Sequence, residues 1–263
     1  MFMTGRELLI YLSYVNGGHW HKIFKIIKDK KYEVSEEEVQ KVLSSIKSNV
    51  VTTLDKEFPD ILKTINMPPF VIYYYGDISL LNNYYKNISV VGSRKSSTYG
   101  EDMTYDIVKG LAEKGYTIVS GLAKGIDSIA HKAAIAGGGK TIAILGSGID
   151  YCYPYENYDL YKEIKKDHLI ISEYPGFDAP TQGQFPERNR LIAGLSSTIL
   201  VGEAGVHSGT FITVADGLIN GRNICCIPYP ADANSACNKL IKEGAALVET
   251  TQDVIDELPI DPS

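Results

Sequence analysis

Eight stretches beyond residue 70 are apolar at nearly every position rather than at alternate ones: FVIYYYG, ISVVG, TIVSG, TIAILG, LIISEY, TILVGEA, NICCIP and ALVE. A strand with one face in water alternates apolar and polar residues, whereas a strand apolar along its length is covered on both faces. Between most of them lie segments with helical spacing, among them YGEDMTYDIVKGLAEKG, IDSIAHKAAIAGG and SGTFITVADGLINGR. This alternation predicts a doubly wound, mostly parallel α/β sheet with helices on both sides. In such folds the ligand lies beyond the carboxyl ends of the strands.

The first 48 residues read differently. TGRELLIYLSYV, HWHKIFKIIKD and VSEEEVQKVLSSIKS carry apolar residues at three- and four-residue spacing, and Ser35 followed by Glu38 fits a capping box. The expected division is a small helical, helix-hairpin-like module over 1–48 and the α/β unit over 49–263, entered through the Pro-containing TLDKEFPDILKTINMPPF. The module is read as either a packing appendage or a ligand-bearing unit. A chain of 263 residues, 44% hydrophobic, can bury one sizeable core with a small second domain beside it.

No apolar run approaches the roughly 20 residues that a membrane span needs. The opening MFMTGRELLI has no basic region followed by an apolar one, so no signal peptide is expected. Four cysteines stand at 152, 225, 226 and 237 without a CxxC pair, which suggests neither a zinc site nor a disulfide framework. Cys225 and Cys226 adjoin in a strand and should point to opposite faces, as reduced thiols in a cytoplasm.

A net charge of −6 argues against a nucleic-acid partner until its distribution is read. Residues 1–66 hold ten Lys/Arg against nine Asp/Glu and residues 88–140 seven against five, while residues 141–263 hold eight against seventeen. The acidic excess belongs to the C-terminal half, and a basic cleft on an acidic body is compatible with it.

Four strands end in a glycine-bearing turn: VVGSRKSSTYG (90–100), VSGLAKGIDS (119–128), LGSGIDYCYP (145–154) and GEAGVHSGT (202–210). Glycine lets a ligand approach the backbone, and the helix that follows presents open amides and the positive end of its dipole. A dinucleotide is disfavoured, because GSRKSSTYG has glycines only at 92 and 100 and GSGIDY has Tyr151 at the third glycine position. No Walker A turn is present, so NAD, FAD and ATP are not expected and no cofactor is assigned. The turns instead carry Arg94, Lys95 and Lys124, Lys140 precedes the third of these strands, and Arg188 and Arg190 lead into the fourth. Spread along a crevice, these charges suit several separated phosphates, with Tyr151, Tyr153 and Tyr155 as candidates for base stacking.

Structural alternatives stand beside each of these readings. Arg94 could cap a helix or pair with Glu101, and Arg188 and Arg190 could pair with Glu187 or Glu203. Asp127 and His131, four apart on one helix, suggest a structural pair. His207 beside Ser208 lacks both a GxSxG elbow and a third partner, so no catalytic group is assigned. No set of His, Cys and carboxylates has metal-ligand spacing.

VVGSRKSSTYG, SGLAKGIDSIAHKAAI, TIAILGSGIDYCYPYEN, SEYPGF and FPERNRLIAGLSSTILVGEAGVHSGTFITVADG together resemble the DNA-processing protein A family (DprA, also called Smf), in order and spacing from about residue 50 to 258. The FPxRNRxIAG block is highly specific. The resemblance implies a Rossmann-like, cytoplasmic bacterial protein that binds single-stranded DNA without strong sequence preference. It implies further that the protein protects incoming strands in natural transformation, loads the RecA recombinase, dimerises through the Rossmann-like domain and is not an enzyme. It maps DNA contact to Gly92, Ser93 and Arg94, to Gly121 and Lys124, to Lys140, to Arg188, Asn189 and Arg190, and to Ser208, Gly209 and Thr210, with Arg94 and one of the two lysines dominant. Two departures stand out: the winged-helix-like C-terminal module of many members is missing, and Ala236 and Cys237 replace a glycine usual before the Asn-x-Leu-Ile segment.

The alternative is a nucleotide-processing phosphoribohydrolase with a related core. Those enzymes place a catalytic glutamate shortly after a PGGxGT turn, where this chain has Thr213.

Overall fold

The helical module at the amino end consists of α1 (Gly5–Val15), α2 (Trp20–Asp29) and α3 (Glu36–Ser45), in a computed structural model that describes residues 3–205 and 208–261. The Ser35–Glu38 capping box forms, and a second one, Thr4 with Glu7, starts α1. There follow β1 (Asn49–Thr52), α4 (Asp60–Lys63), β2 (Val71–Gly76), β3 (Asn87–Gly92), α5 (Thr98–Glu113), β4 (Thr117–Ser120) and α6 (Ile126–Ala136). The chain continues through β5 (Thr141–Ile144), α7 (Tyr158–Asp167), β6 (Leu169–Ser172), α8 (Gln184–Gly194), β7 (Thr198–Glu203) and α9 (Thr210–Ile219). It ends with β8 (Asn223–Cys226), α10 (Ala236–Lys242), β9 (Ala246–Leu247) and α11 (Thr251–Asp256).

The strands form one sheet in the order β1-β2-β6-β5-β4-β3-β7-β8-β9. From β6 to β9 every pairing is parallel; β2 joins β6, and β1 joins β2, antiparallel. The chain winds outward from β3 to β6 and then returns to place β7 on the other side of β3. The β3/β7 seam is therefore the point where the winding reverses, and there the carboxyl ends open a crevice.

Both faces of the sheet are buried, as the unbroken apolar runs require. Ile199, Val201 and Cys226 enter one core cluster, while Leu200 and Cys225 enter the other, so neighbouring residues along a strand feed opposite sides. The substituted pair Ala236 and Cys237 is fully buried at the start of α10, where Ser235 caps the helix and the Ala236 amide donates to the Ala204 carbonyl at 2.8 Å. These side chains pack into the core and lie away from the crevice.

Two features depart from the sequence reading. Strand β1 was not anticipated: NVVT is too short to show a pattern, and its pairing with β2 is what defines it. Nor does the sequence reading give the RNR block a conformation; it is part of helix α8. On a helix, residues two apart point roughly 200° away from one another. That rotation separates the fates of Arg188 and Arg190.

The helical module packs against the antiparallel end of the sheet. The Arg6 guanidinium donates to Asp55 at 2.9 and 3.0 Å and to the Val50 carbonyl at 3.0 Å, and the Tyr73 hydroxyl meets Ser13 Oγ at 3.1 Å. Trp20 donates from Nε1 to the Pro68 carbonyl at 2.8 Å and stacks on Phe70.

Candidate nucleic-acid interface

The four glycine turns leave β5, β4, β3 and β7, which are consecutive in the sheet, so all four emerge on one edge. A trough of about 850 Å³ runs over this edge. Its walls are the turn after β3, the amino-terminal half of α8 and the start of α9, and eight expected residues line it: Gly92, Ser93, Arg94, Arg188, Asn189, Ser208, Gly209 and Thr210.

The turn after β3 is fixed from beneath. A Cβ at Gly92 would stand 2.6 Å from the Ile126 side chain, so the position has no room for one. Ser93 donates its amide to the Glu203 carbonyl at 2.7 Å and closes its hydroxyl onto Lys95, which leaves Arg94 and Lys95 exposed at the tip. The Arg94 guanidinium lies 4.9 Å above the centre of the Phe185 ring, a cation–π contact that holds the charge over the trough. Neither a helix cap nor a pair with Glu101 occupies Arg94; Glu101 instead accepts from Ser96 Oγ at 2.6 Å.

Arg188 lines the trough from beneath. It is only 4% exposed, and its Nη1 donates to the Gly121 carbonyl at 2.7 Å and to the Ile144 carbonyl, tying the ends of β4 and β5 together under the trough. Burial pushes its guanidinium down to about 10, opposed by the nearby Asp127 charge. Asp127 accepts the amides of Gly121 and Ala123; burial raises its carboxyl, and Arg188 is the largest opposing influence. Gly121 is absent from the main trough because its role is clearance: a Cβ there would lie 2.3 Å from Arg188 Nη1. Asp127 and His131 do not pair. His131 Nδ1 lies 2.6 Å from Thr141 Oγ1, whose own proton goes to the Ile118 carbonyl, so the imidazole is the donor.

Arg190 turns away from the crevice. Its guanidinium grips Glu173 at 2.6 and 2.7 Å and also donates to the Met67 and Glu187 carbonyls, so its partner is neither of the glutamates expected from sequence. Lys140 lies just before β5, on the amino edge of the sheet opposite the trough, and donates to the Asp167 carbonyl at 3.0 Å. Lys124 lies on the same edge as the trough and pairs with Glu156, both side chains being more than half exposed. It lines a small cleft with Arg94, Gly121 and Arg188, and this cleft connects the trough to a groove of about 600 Å³ bounded by Tyr151, Tyr153, Tyr155 and Tyr158. Tyr155 is 75% exposed and stacks on Tyr158 with ring centres 5.3 Å apart.

Most amides of the glycine turns are already used inside the protein. Glu203 fills the amino end of α5 by accepting from the Ser97 amide and hydroxyl, both at 2.9 Å. Asp127 does the same at the turn before α6, and in the turn after β5 Gly148 and Asp150 donate to the carbonyls of Asp178 and Gly176. The start of α9 also opens on the trough, where the Ser208 and Thr210 hydroxyls lie 2.8 Å apart and the Thr210 amide donates to Ser208 Oγ at 3.2 Å. His207 lies outside the described residues. Thr213, at the position of the rival class's glutamate, is buried in the trough wall, and among the described residues Asp127 is the one carboxylate lining that trough. Sequence reading missed Phe185; its place three residues before Arg188, ahead of a basic helix turn, was the available signal.

A family model described as DNA recombination-mediator protein A matches residues 49–259. The chain is 42% identical over 206 residues to the DNA processing protein DprA of Streptococcus pneumoniae, covering 78% of this chain and 72% of that protein. The X-ray structure of DprA from the same organism superposes with a TM-score of 0.86 at 33% identity, covering 99% of this chain and 100% of the other. A Helicobacter pylori DNA processing protein A structure, described for its single-stranded DNA binding mode, matches with a TM-score of 0.71 at 29% identity over 81% of this chain and 96% of that one.

Proposed function

The chain belongs to the DNA recombination-mediator protein A family, and on that premise we propose that it binds single-stranded DNA by the sugar-phosphate backbone along the trough, protects incoming strands in natural transformation and delivers them to RecA as a cytoplasmic homodimer. Residues 49–263 form the DNA-binding unit in this reading and residues 1–48 a helical module beside it. The observation that carries the proposal is Arg94: an exposed guanidinium, poised on Phe185, at the seam where the winding of the sheet reverses. Lys95 beside it and the start of α9 across the trough add phosphate-binding groups without a base-reading pattern, which fits binding indifferent to sequence. Acid–base chemistry on nucleotides is disfavoured, because Asp127, the one carboxylate lining the trough among the described residues, accepts two amides and lies near Arg188.

Mobility-shift titration with oligo-dT and with duplex, on wild type and on Arg94→Ala, tests ligand class and site together. Single strands should bind more tightly than duplex. Arg94→Ala should weaken binding to all sequences alike and flatten the log–log salt dependence by about 0.7, the value for one phosphate contact on a single strand. A loss confined to some sequences would overturn the assignment. RecA delivery is tested separately, by whether the protein accelerates RecA filament growth on SSB-coated strands.

A further inference from the structure

Helix α2 is an unusual surface. The segment from Trp20 to Glu33 carries Lys22, Lys25, Lys28, Lys30 and Lys31 against Asp29 and Glu33, all of them exposed, and none of the five lysines forms an ion pair among the described residues. Charges on the last turn suit a helix dipole, but Lys22 lies in the first turn, which has no acidic residue and no side-chain cap from His19. Lys22, Lys25 and Lys28 follow one another at three-residue spacing, where like charges repel. Lys30 closes the helix in the left-handed conformation at φ 51°, a place usually given to glycine. Among the described residues no acidic side chain pairs with these lysines. An external polyanion would.

We propose that the exposed lysine face of α2 is a second phosphate-binding surface, which takes the same DNA strand after it leaves the trough; this rests on the trough being the primary site. Position supports it. His19, at the start of α2, packs its ring edge-on to Tyr174, and the Tyr174 hydroxyl donates to Glu187 on α8, the helix that walls the trough. These contacts put the start of α2 beside α8, on the carboxyl side of β6. Phe24, 43% exposed among these lysines, supplies an aromatic face of the kind on which bases stack. An anionic membrane is the less suitable occupant, because the apolar side of α2 is already engaged: Ile23 is buried and Trp20 is stacked on Phe70. A membrane-surface helix must keep that side free.

The test compares the full chain with its Lys22→Gln/Lys25→Gln/Lys28→Gln variant, using oligo-dT of about 6 and about 30 nucleotides, lengths chosen around the site sizes common for single-strand binders. For the long oligonucleotide the variant should show a salt slope shallower by about 2 and an affinity lower by up to about 100-fold at 0.1 M salt, with the short one unchanged. An unchanged slope on the long strand overturns the proposal, as does an equal loss on both lengths. Co-sedimentation with phosphatidylserine vesicles that falls in the variant while long-strand binding does not would assign the face to membranes instead. Arg94→Ala separates the two readings: if it leaves the short oligonucleotide unaffected, the trough fails as primary site whatever the lysine variant does.

Discussion

Arg94 and Arg188 are separated by 94 positions in sequence and line the same crevice, yet Arg94 is exposed and Arg188 is buried. Arg188 spends its donors on two strand-end carbonyls, which makes Gly121 its dependent. Gly121→Ala should therefore force the guanidinium out of place and cost about 1–3 kcal/mol, the range for overpacking, read as a lower urea midpoint with unchanged m-value. His131 gives a pH signature. Burial lowers its imidazole to about 3, so the native state stays neutral there while the unfolded chain takes up a proton below about 6.5. Stability from this group is fully present above pH 6.5 and is lost as pH falls towards 3, at up to about 1.4 kcal/mol per pH unit. Buried His168 shifts in the same direction. Urea titrations at pH 7.5 and 5 should show the decline, and His131→Gln should reduce it; an equal decline in the variant would refute the assignment.

At the scale of elements, helix α8 shows why some of the site was legible and some was not. The FPERNR block belongs to the helix that walls the trough, and only part of it lines that trough. Which part depends on a helical turn that six polar-rich residues do not reveal, and on Glu173, seventeen positions from Arg190, which no local spacing connects to it. The strand pattern was readable because burial on both faces leaves a run of apolar residues; β1 was not, because four residues on a sheet edge leave no pattern. Lys140 lies away from the trough for a related reason. A residue just before a strand and one just after it look equally close in sequence but end up on opposite sides of the sheet. The Arg190–Glu173 pair yields its own prediction: Glu173→Gln leaves a buried cation short of its partner and should cost about 3–5 kcal/mol in urea unfolding. Oligo-dT affinity of the folded variant should stay unchanged, since the pair faces away from the trough.

For the whole molecule, an acidic chain carries cationic groups together in one place: the acidic excess lies in residues 141–263, while Arg94, Lys95 and the α9 start line the trough on the carboxyl edge. The sheet's outermost strands, β1 and β9, have four and two residues. Rims that short give another copy little backbone on which to add a strand, so growth by stacking sheet onto sheet is blocked at both ends. Self-association should consequently stop at a discrete, side-chain-mediated species. Sedimentation velocity over rising concentration would show one boundary, and a ladder of ever larger particles would mean that the rims are stickier than their length implies.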